Sequence, residues 1–263
     1  MSSQLKNVTE FAYVTVNEGV NFFDDSAAGK TYQNVIETAL RQPGARRVYH
    51  GIEVEDPSRL WLFLDWDTLD DHLNYPKSAD HGPIIESLKP LVSFEKAINK
   101  HVTLNPFPPE DVLDSTRSPV TEVLVAFFPS DYSVTSRAAA TRRLEQFAAQ
   151  ALKASPDWRG ISYGWSVEND VPVRGDESKT GCMLAAFIGW PSLEAHQKFR
   201  ETDDFKENIG LLREMEGLIK LGAFHVSCQS KEAAGLEERD AKKAHENGHG
   251  HGHDHGCGSG GCC

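Results

Sequence analysis

Long apolar runs are missing from this chain of 263 residues, and no stretch approaches the roughly 18 to 20 apolar residues needed to cross a membrane. The opening segment Met1-Ser2-Ser3-Gln4-Leu5-Lys6 also lacks the apolar core of a secretory signal, so the expected location is the cytoplasm. A surplus of positive charge is missing too. With 27 Lys and Arg against 39 Asp and Glu, the formal net charge is -12. No basic stripe can offset phosphate charge, which excludes nucleic acids and anionic membranes as natural partners. Gly-x-Gly-x-x-Gly, Walker, His-Glu-x-x-His and Gly-x-Ser-x-Gly sequences are all absent, which disfavours nucleotide hydrolysis, zinc-protease and lipase chemistry. Cysteine is scarce and odd in number. Three of the five cysteines crowd into the last seven positions, a pattern of thiolate ligands rather than of a disulfide framework. A small molecule, a metal ion or another protein remains as partner, and 39% apolar residues supply a core to build on.

The chain carries an internal repeat. Val8-Thr9-Glu10 recurs as Val120-Thr121-Glu122, 112 residues later. Tyr32, Val35, Ile36, Ala39 and Leu40 have the spacing of one buried helix face, and the same offset lands on Leu144, Phe147, Ala148, Ala151 and Leu152. Tyr49-His50-Gly51 matches Ser162-Tyr163-Gly164 at an offset of 113. From Phe63, Leu64 and Trp66 to Phe187, Ile188 and Trp190 the offset is 124, and it holds for His72 with His196 and for His101-Val102 with His225-Val226. The step from 113 to 124 places an 11-residue insertion in the second copy around Val171 to Ser178, expected to be a polar hairpin extension.

Each copy reads strand, helix, strand, strand, helical segment, strand, which is the ferredoxin-like βαββαβ order. In the first copy these segments fall near residues 8–16, 30–41, 46–54, 60–66, 68–91 and 96–104. The expected fold class is α+β: two tandem units packed sheet to sheet as a barrel within one chain, because each sheet needs a cover for its second face. The expected domains are 1–105 and 119–230, with a proline-rich linker at 106–118 whose prolines oppose regular structure, and a charged linker and tail at 231–263.

The topology, with an aromatic closing the third strand ahead of two short helices, resembles the dimeric α/β-barrel superfamily and in particular its antibiotic-biosynthesis-monooxygenase-like domains. The residues carrying the resemblance are Trp66-Asp67-Thr68-Leu69-Asp70-Asp71-His72 with Ser78-Ala79-Asp80-His81, and Trp190-Pro191-Ser192-Leu193-Glu194-Ala195-His196 with Asp203-Asp204-Phe205. It covers residues 8 to 228. The resemblance implies the barrel fold and, as one expected activity, a cofactor-independent monooxygenase or isomerase acting on a small aromatic or polyketide-like molecule in the barrel cavity. Haem-degrading members carry a histidine in a Phe-Lys-Glu-Ala-His-type run. This chain has Phe205-Lys206-Glu207-Asn208-Ile209, which puts Ile209 where the ligand would stand.

Four histidines are the catalytic candidates. His72 and His196 begin the short helix of each copy, as a cavity acid or base or as tip residues that hold the loop. His101 and His225 lie on the last strand of each copy, and strand alternation leaves open whether they face inward or outward. Trp66 and Trp190 read as packing anchors, whereas Trp61, Trp158 and Trp165 have no counterpart in the other copy and stand as candidates for individual roles. Cys182 and Cys228 read as buried small hydrophobes.

The most chemically distinctive segment is the tail. His249, His251, His253 and His255 alternate with other residues and are followed by Cys257, Cys262 and Cys263. Imidazole and thiolate are the ligands that Zn, Cu and Ni prefer, and interleaved glycine lets a short chain wrap an ion. The leading expectation is therefore a cytosolic protein that binds a transition metal through this tail. Gly260-Gly261-Cys262-Cys263 also matches a doubly prenylated terminus, the one route by which a membrane partner would enter. A chain that carries both sheets is expected as a monomer or a homodimer.

Overall fold

The computed structural model describes residues 4–248, so the tail ligands His249, His251, His253, His255, Cys257, Cys262 and Cys263 lie outside the described residues. The helical stripes form as their spacing predicts. After strand β1 (Lys6–Val16), helix α1 (Ala27–Leu40) starts where the Ser26 hydroxyl accepts the Gly29 N–H at 3.1 Å, and it buries Tyr32, Val35, Ile36 and Leu40. Strands β2 (Ala45–Ile52) and β3 (Arg59–Thr68) follow, then helix α2 (Leu69–Asn74), a short 3-10 turn, helix α3 (His81–Leu88) and strand β4 (Val92–Asn105).

The segment expected as an irregular linker contains a single helical turn, α4 (Glu110–Leu113). Its Val112 and Leu113 are fully enclosed by the apolar interior, which the prolines alone did not foretell. Beyond it come β5 (Val120–Phe128), α5 (Val134–Gln150), β6 (Gly160–Ser166), β7 (Val171–Val173) and β8 (Asp176–Trp190). The chain continues with α6 (Leu193–Glu201), α7 (Asp203–Asn208), α8 (Gly210–Arg213), β9 (Lys220–Val226), β10 (Gln229–Glu232) and α9 (Leu236–Gly248). In α5 the Ser133 hydroxyl again accepts the N–H three residues on, and Leu144, Phe147 and Ala148 form its buried face. No described helix is long and apolar enough to cross a membrane.

All the named pairings are antiparallel, and the strand order is β10-β2-β3-β1-β4-β6-β8-β5-β9. Within the first half the order is thus β2-β3-β1-β4, and within the second β6-β8-β5-β9. The halves join where β4 pairs with β6 in the register Val102↔Ser166. The sheet then curls until its far ends meet: Glu53 bridges Val226, the Val54 N–H donates to the His225 carbonyl at 2.8 Å, and β10, which follows β9 after two residues, pairs with β2.

At both junctions a glycine is required. A Cβ on Gly51 would run into the Ser227 backbone and one on Gly164 into the Thr103 backbone, so strands this close tolerate only hydrogen there.

Side chains alternate across the strands. Phe11, Phe63, Val102, Phe187 and Phe224 face inward and interlock with the opposite wall. The outward faces are covered by α1 to α3 on the first half and by α5 to α8 on the second, giving two further cores around Tyr32 with Leu64 and around Leu144 with Ile188.

The inserted hairpin differs from its expected polar character. It turns at Arg174–Gly175, and Val171 and Val173 are buried in the inner core, while Arg174 forms an ion pair with the fully buried Glu53, which also accepts the Trp61 indole N–H at 2.9 Å. The insertion plugs one end of the sheet's interior.

Candidate functional site

Two equivalent clusters lie between the sheet and its helical covers. In the second half, the Ser192 hydroxyl caps α6 at the Ala195 N–H and sets His196 on the helix turn that faces β9. Strand β9 presents His225 on the same outward side. The His196 Nδ1 lies 2.7 Å from the His225 Nε2, the Nδ1 of His225 contacts the Glu55 carboxylate, and the His225 backbone N–H donates to the other Glu55 oxygen at 2.8 Å. At the far end the His196 Nε2 lies 3.3 Å from the Glu122 carboxyl.

In the first half, Thr68 caps α2 at the Asp71 N–H. The His72 Nδ1 meets the His101 Nε2 at 2.5 Å, the His101 Nδ1 meets Glu168 at 2.6 Å, and the His72 Nε2 lies 3.4 Å from Glu10. Each indole of Trp66 and Trp190 stacks on the neighbouring imidazole, with centroids 5.0 and 5.1 Å apart. The two tryptophans therefore pack, as expected, but what they pack against is the candidate chemistry.

The network fixes the proton positions. Burial raises the Glu55 carboxyl, but hydrogen bonds from the His225 ring and backbone outweigh it and hold the group below the ordinary range, so Glu55 is ionised. An ionised carboxylate only accepts, which puts a proton on the His225 Nδ1 and leaves its Nε2 as acceptor for the His196 Nδ1–H. The His196 Nε2 then keeps its lone pair as an acceptor, with the Glu122 carboxyl 3.3 Å away. Burial, with His225 and Arg200 adding to it, pushes His196 down to about 3, so the ring is neutral at physiological pH. Burial pushes the facing Glu122 carboxyl up. The same balance holds Glu168 low through His101, and burial lowers His72. A carboxylate that orients a histidine, with a second histidine in line, is a proton relay with one basic end.

The relay in the second half opens on a cavity of ≈ 480 Å³ whose lining includes Glu55, Glu122, His196 and His225. The first half has a cavity of ≈ 280 Å³ lined by Glu10 and His72, while His101 and Glu168 lie behind its wall. The space between the two sheet walls is filled instead. Its void measures ≈ 30 Å³ and is lined by Phe11, Trp61 and Phe224 among others. The expectation of a site within the barrel interior is thus corrected: inward positions on β4 and β9 belong to Val102, Leu104, Phe224 and Val226, and alternation turns His101 and His225 outward, toward the helices.

No protein-family sequence model matches this chain, and no curated protein sequence matches it. Solved structures do. An anthrone oxidase-like protein superimposes with a TM-score of 0.62 at 13% identity, over 90% of this chain and 97% of that one. A provisionally named monooxygenase of Fusobacterium nucleatum subsp. nucleatum gives 0.55 at 7% identity, over 87% and 96%. A second provisionally named monooxygenase, from Lactobacillus acidophilus, gives 0.52 at 8%, over 86% and 99%. At these identities the likeness is one of fold: a curled antiparallel sheet with helices on its outer face.

All four sequence-predicted histidines fall into the two clusters, as the pairs His72–His101 and His196–His225. Sequence reasoning missed the acids. Glu55 and Glu168 stand 113 residues apart and Glu10 and Glu122 stand 112 apart, so the repeat that matched the histidines also marked these carboxylates. Trp61, Trp158 and Trp165, singled out as unpaired, are packing residues, and Trp61 and Trp165 donate their indole N–H groups to Glu53 and Thr141. Burial pushes the Cys182 and Cys228 thiols up, in keeping with inert cysteines. Among the described residues, no group of three or more His, Cys, Asp or Glu is arranged to hold a metal ion.

Proposed function

We propose that this chain is an oxygenase of the antibiotic-biosynthesis-monooxygenase type, working in the sheet–helix cavity at His196 on a small electron-rich aromatic compound. The single observation that carries the reading is the chain Glu55–His225–His196, which ends at an imidazole nitrogen facing the Glu122 carboxyl in a cavity of ≈ 480 Å³ walled by Phe147, Phe199 and Phe205. Such walls suit a planar ring system, and the charged and imidazole groups of the lining are there to orient it. The names of the structural neighbours point the same way, although the likeness itself is one of fold.

The chemistry proposed is base-assisted oxygenation. A ring methylene flanked by aromatic rings, as in an anthrone, loses a proton to the His196 Nε2, and the positive charge formed on the histidine pair is stabilised by the Glu55 carboxylate. The resulting carbanion is the electron donor and molecular oxygen the acceptor. A carbon–oxygen bond forms, a protonated peroxide follows with Glu122 placed to supply the proton, and loss of water leaves a carbonyl. The sum is CH2 + O2 → C=O + H2O, in which one oxygen atom enters the product and the other leaves as water.

We further read the two halves as copies of one βαββαβ unit. What supports this is the match in strand order, in capping residue and in the atoms of both relays at the offsets seen in the sequence. The cavities match as well: Val35 and Phe147, Leu64 and Ile188, and Tyr75 and Phe199 take corresponding places in their walls.

The test is oxygen uptake with anthrone under ¹⁸O2, using chelator-treated protein. One labelled oxygen is expected in the product, and His196→Ala should lower kcat/KM by roughly 10²- to 10⁴-fold, the usual worth of a positioned acid or base. Uptake that is identical in wild type and His196→Ala would sink the reading.

A further inference from the structure

The two cavities share a lining plan but not a charge. Arg200 stands one helical turn after His196 on α6, and Arg213 ends α8. Both line the larger cavity, and neither has an ion-pair partner among the described residues. The Arg200 guanidinium lies 6.0 Å from the centre of the Phe205 ring, against the aromatic wall. At the corresponding places in the first half stand Pro76, which carries no charge, and Lys89, which is paired with Glu86 at 2.5 Å. The lining of the smaller cavity includes no Lys or Arg at all.

Guanidinium groups at the mouth of an apolar-walled cavity are well shaped to take an anion, since the fork of N–H donors matches a carboxylate. The ionised Glu55 already receives both of its hydrogen bonds from His225. Glu122, the other carboxyl of the lining, is pushed up by burial and accepts the Trp190 indole N–H, so neither arginine forms an ion pair with a carboxylate of the lining.

We propose that the ligand of the His196 cavity is an aromatic acid, its carboxylate or phenolate held by Arg200 and Arg213 while its ring packs on Phe199 and Phe205, and that the His72 cavity does not take it. This rests on reading the His196 cavity as the working site, but binding is measured without oxygen and so is independent of turnover. In anaerobic calorimetric titrations of the full chain with 2-naphthoate and with neutral 2-naphthamide, wild type takes up one equivalent of the acid. Replacing both residues, Arg200→Ala with Arg213→Ala, weakens the acid about tenfold or more and leaves the amide unchanged. Raising the salt to about 0.5 M weakens the acid only, and Arg200→Lys in the wild-type background retains part of the acid's affinity, since the charge stays and the fork of donors is lost. Both side chains are exposed and unpaired, so the melting temperature stays at the wild-type value.

No saturable uptake of 2-naphthoate at millimolar concentration, unchanged affinity in the double variant, or two equal equivalents would each overturn the proposal. Oxygen uptake with anthrone by wild-type protein to which 2-naphthoate fails to bind would remove the acid specificity and leave the oxygenase reading standing. Tight 2-naphthoate binding with no oxygen consumption would do the reverse.

Discussion

Where strand β9 places Gly222 and Ala223 in the wall of the His196 cavity, strand β4 places Ile98 and Asn99 in the wall of the His72 cavity. The first site is filled where the second is open, and the volumes, ≈ 280 against ≈ 480 Å³, follow. The deeper groups diverge in the same sense. His225 and Glu55 border their cavity, whereas His101 and the partly exposed Glu168 take no part in the lining of theirs. Yet the smaller site keeps its full hydrogen-bonded chain, with contacts of 2.5 and 2.6 Å. A buried polar network must stay satisfied or cost stability, which gives the histidine pair of the smaller site a structural reason to keep its bonds, and what differs between the two clusters is the space beside them.

The largest effect that can break this comparison is on activity. His196→Ala is expected to cost roughly 10²-fold or more in kcat/KM for oxygen uptake, and His72→Ala less than about tenfold, through stability alone. Equal losses would mean that both halves work.

A smaller effect lies in acid–base stability, because the halves also differ at the end of the third strand. Asp65 is fully buried on β3 and accepts the Thr9 hydroxyl at 2.6 Å, while the matching position of β8 is Gly189. Burial pushes Asp65 up to about 7, against the pull of Thr9, Arg46 and Arg47. Between about 4 and 7 the folded state therefore holds a proton that the unfolded state has lost. Stability should fall as pH rises through that window, by about 1.4 kcal/mol per pH unit from this group. Denaturant melts of wild type and Asp65→Asn at pH 5 and pH 8 check the sign: the gap should move in favour of the variant at the higher pH. His196 acts oppositely. Its neutral buried form makes stability fall as pH drops from about 6.5 toward about 3, a loss that His196→Gln removes.

The smallest difference concerns the tryptophans. The Trp190 indole donates to Glu122 at 3.3 Å, while the Trp66 indole N–H has no partner. Trp190→Phe should cost about 1 kcal/mol more than Trp66→Phe in chemical denaturation, since only the former takes a hydrogen bond from a buried carboxyl. Equal costs would show that the Glu122 contact contributes nothing.

Much of the fold could be read from spacing. The stripes of α1 and α5, the aromatic at the end of the third strand and the repeated histidines are local patterns, and local patterns survive in sequence. The facing of His101 and His225 could not be read, because alternation gives two sides and only the packing of Val102 and Val226 into the interior chooses between them. Glu55 and Glu168 escaped for a different reason. Each lies just beyond a strand of one half and acts on the other, so its role depends on how the curled sheet closes. Val171 and Val173 were hidden by their Pro, Gly and Arg neighbours, which mark a turn but say nothing of where its valines go.

The crossing carboxylates carry a consequence for how this protein can change. Glu55 is supplied by the first half to a histidine of the second, and Glu168 by the second to a histidine of the first. Neither half holds a whole Glu–His–His chain, so the two exchange parts as strands of a single interlocked machine do. Joined on one polypeptide, they are always present in equal number, which frees one half to lose its opening while it goes on lending its acid to the other.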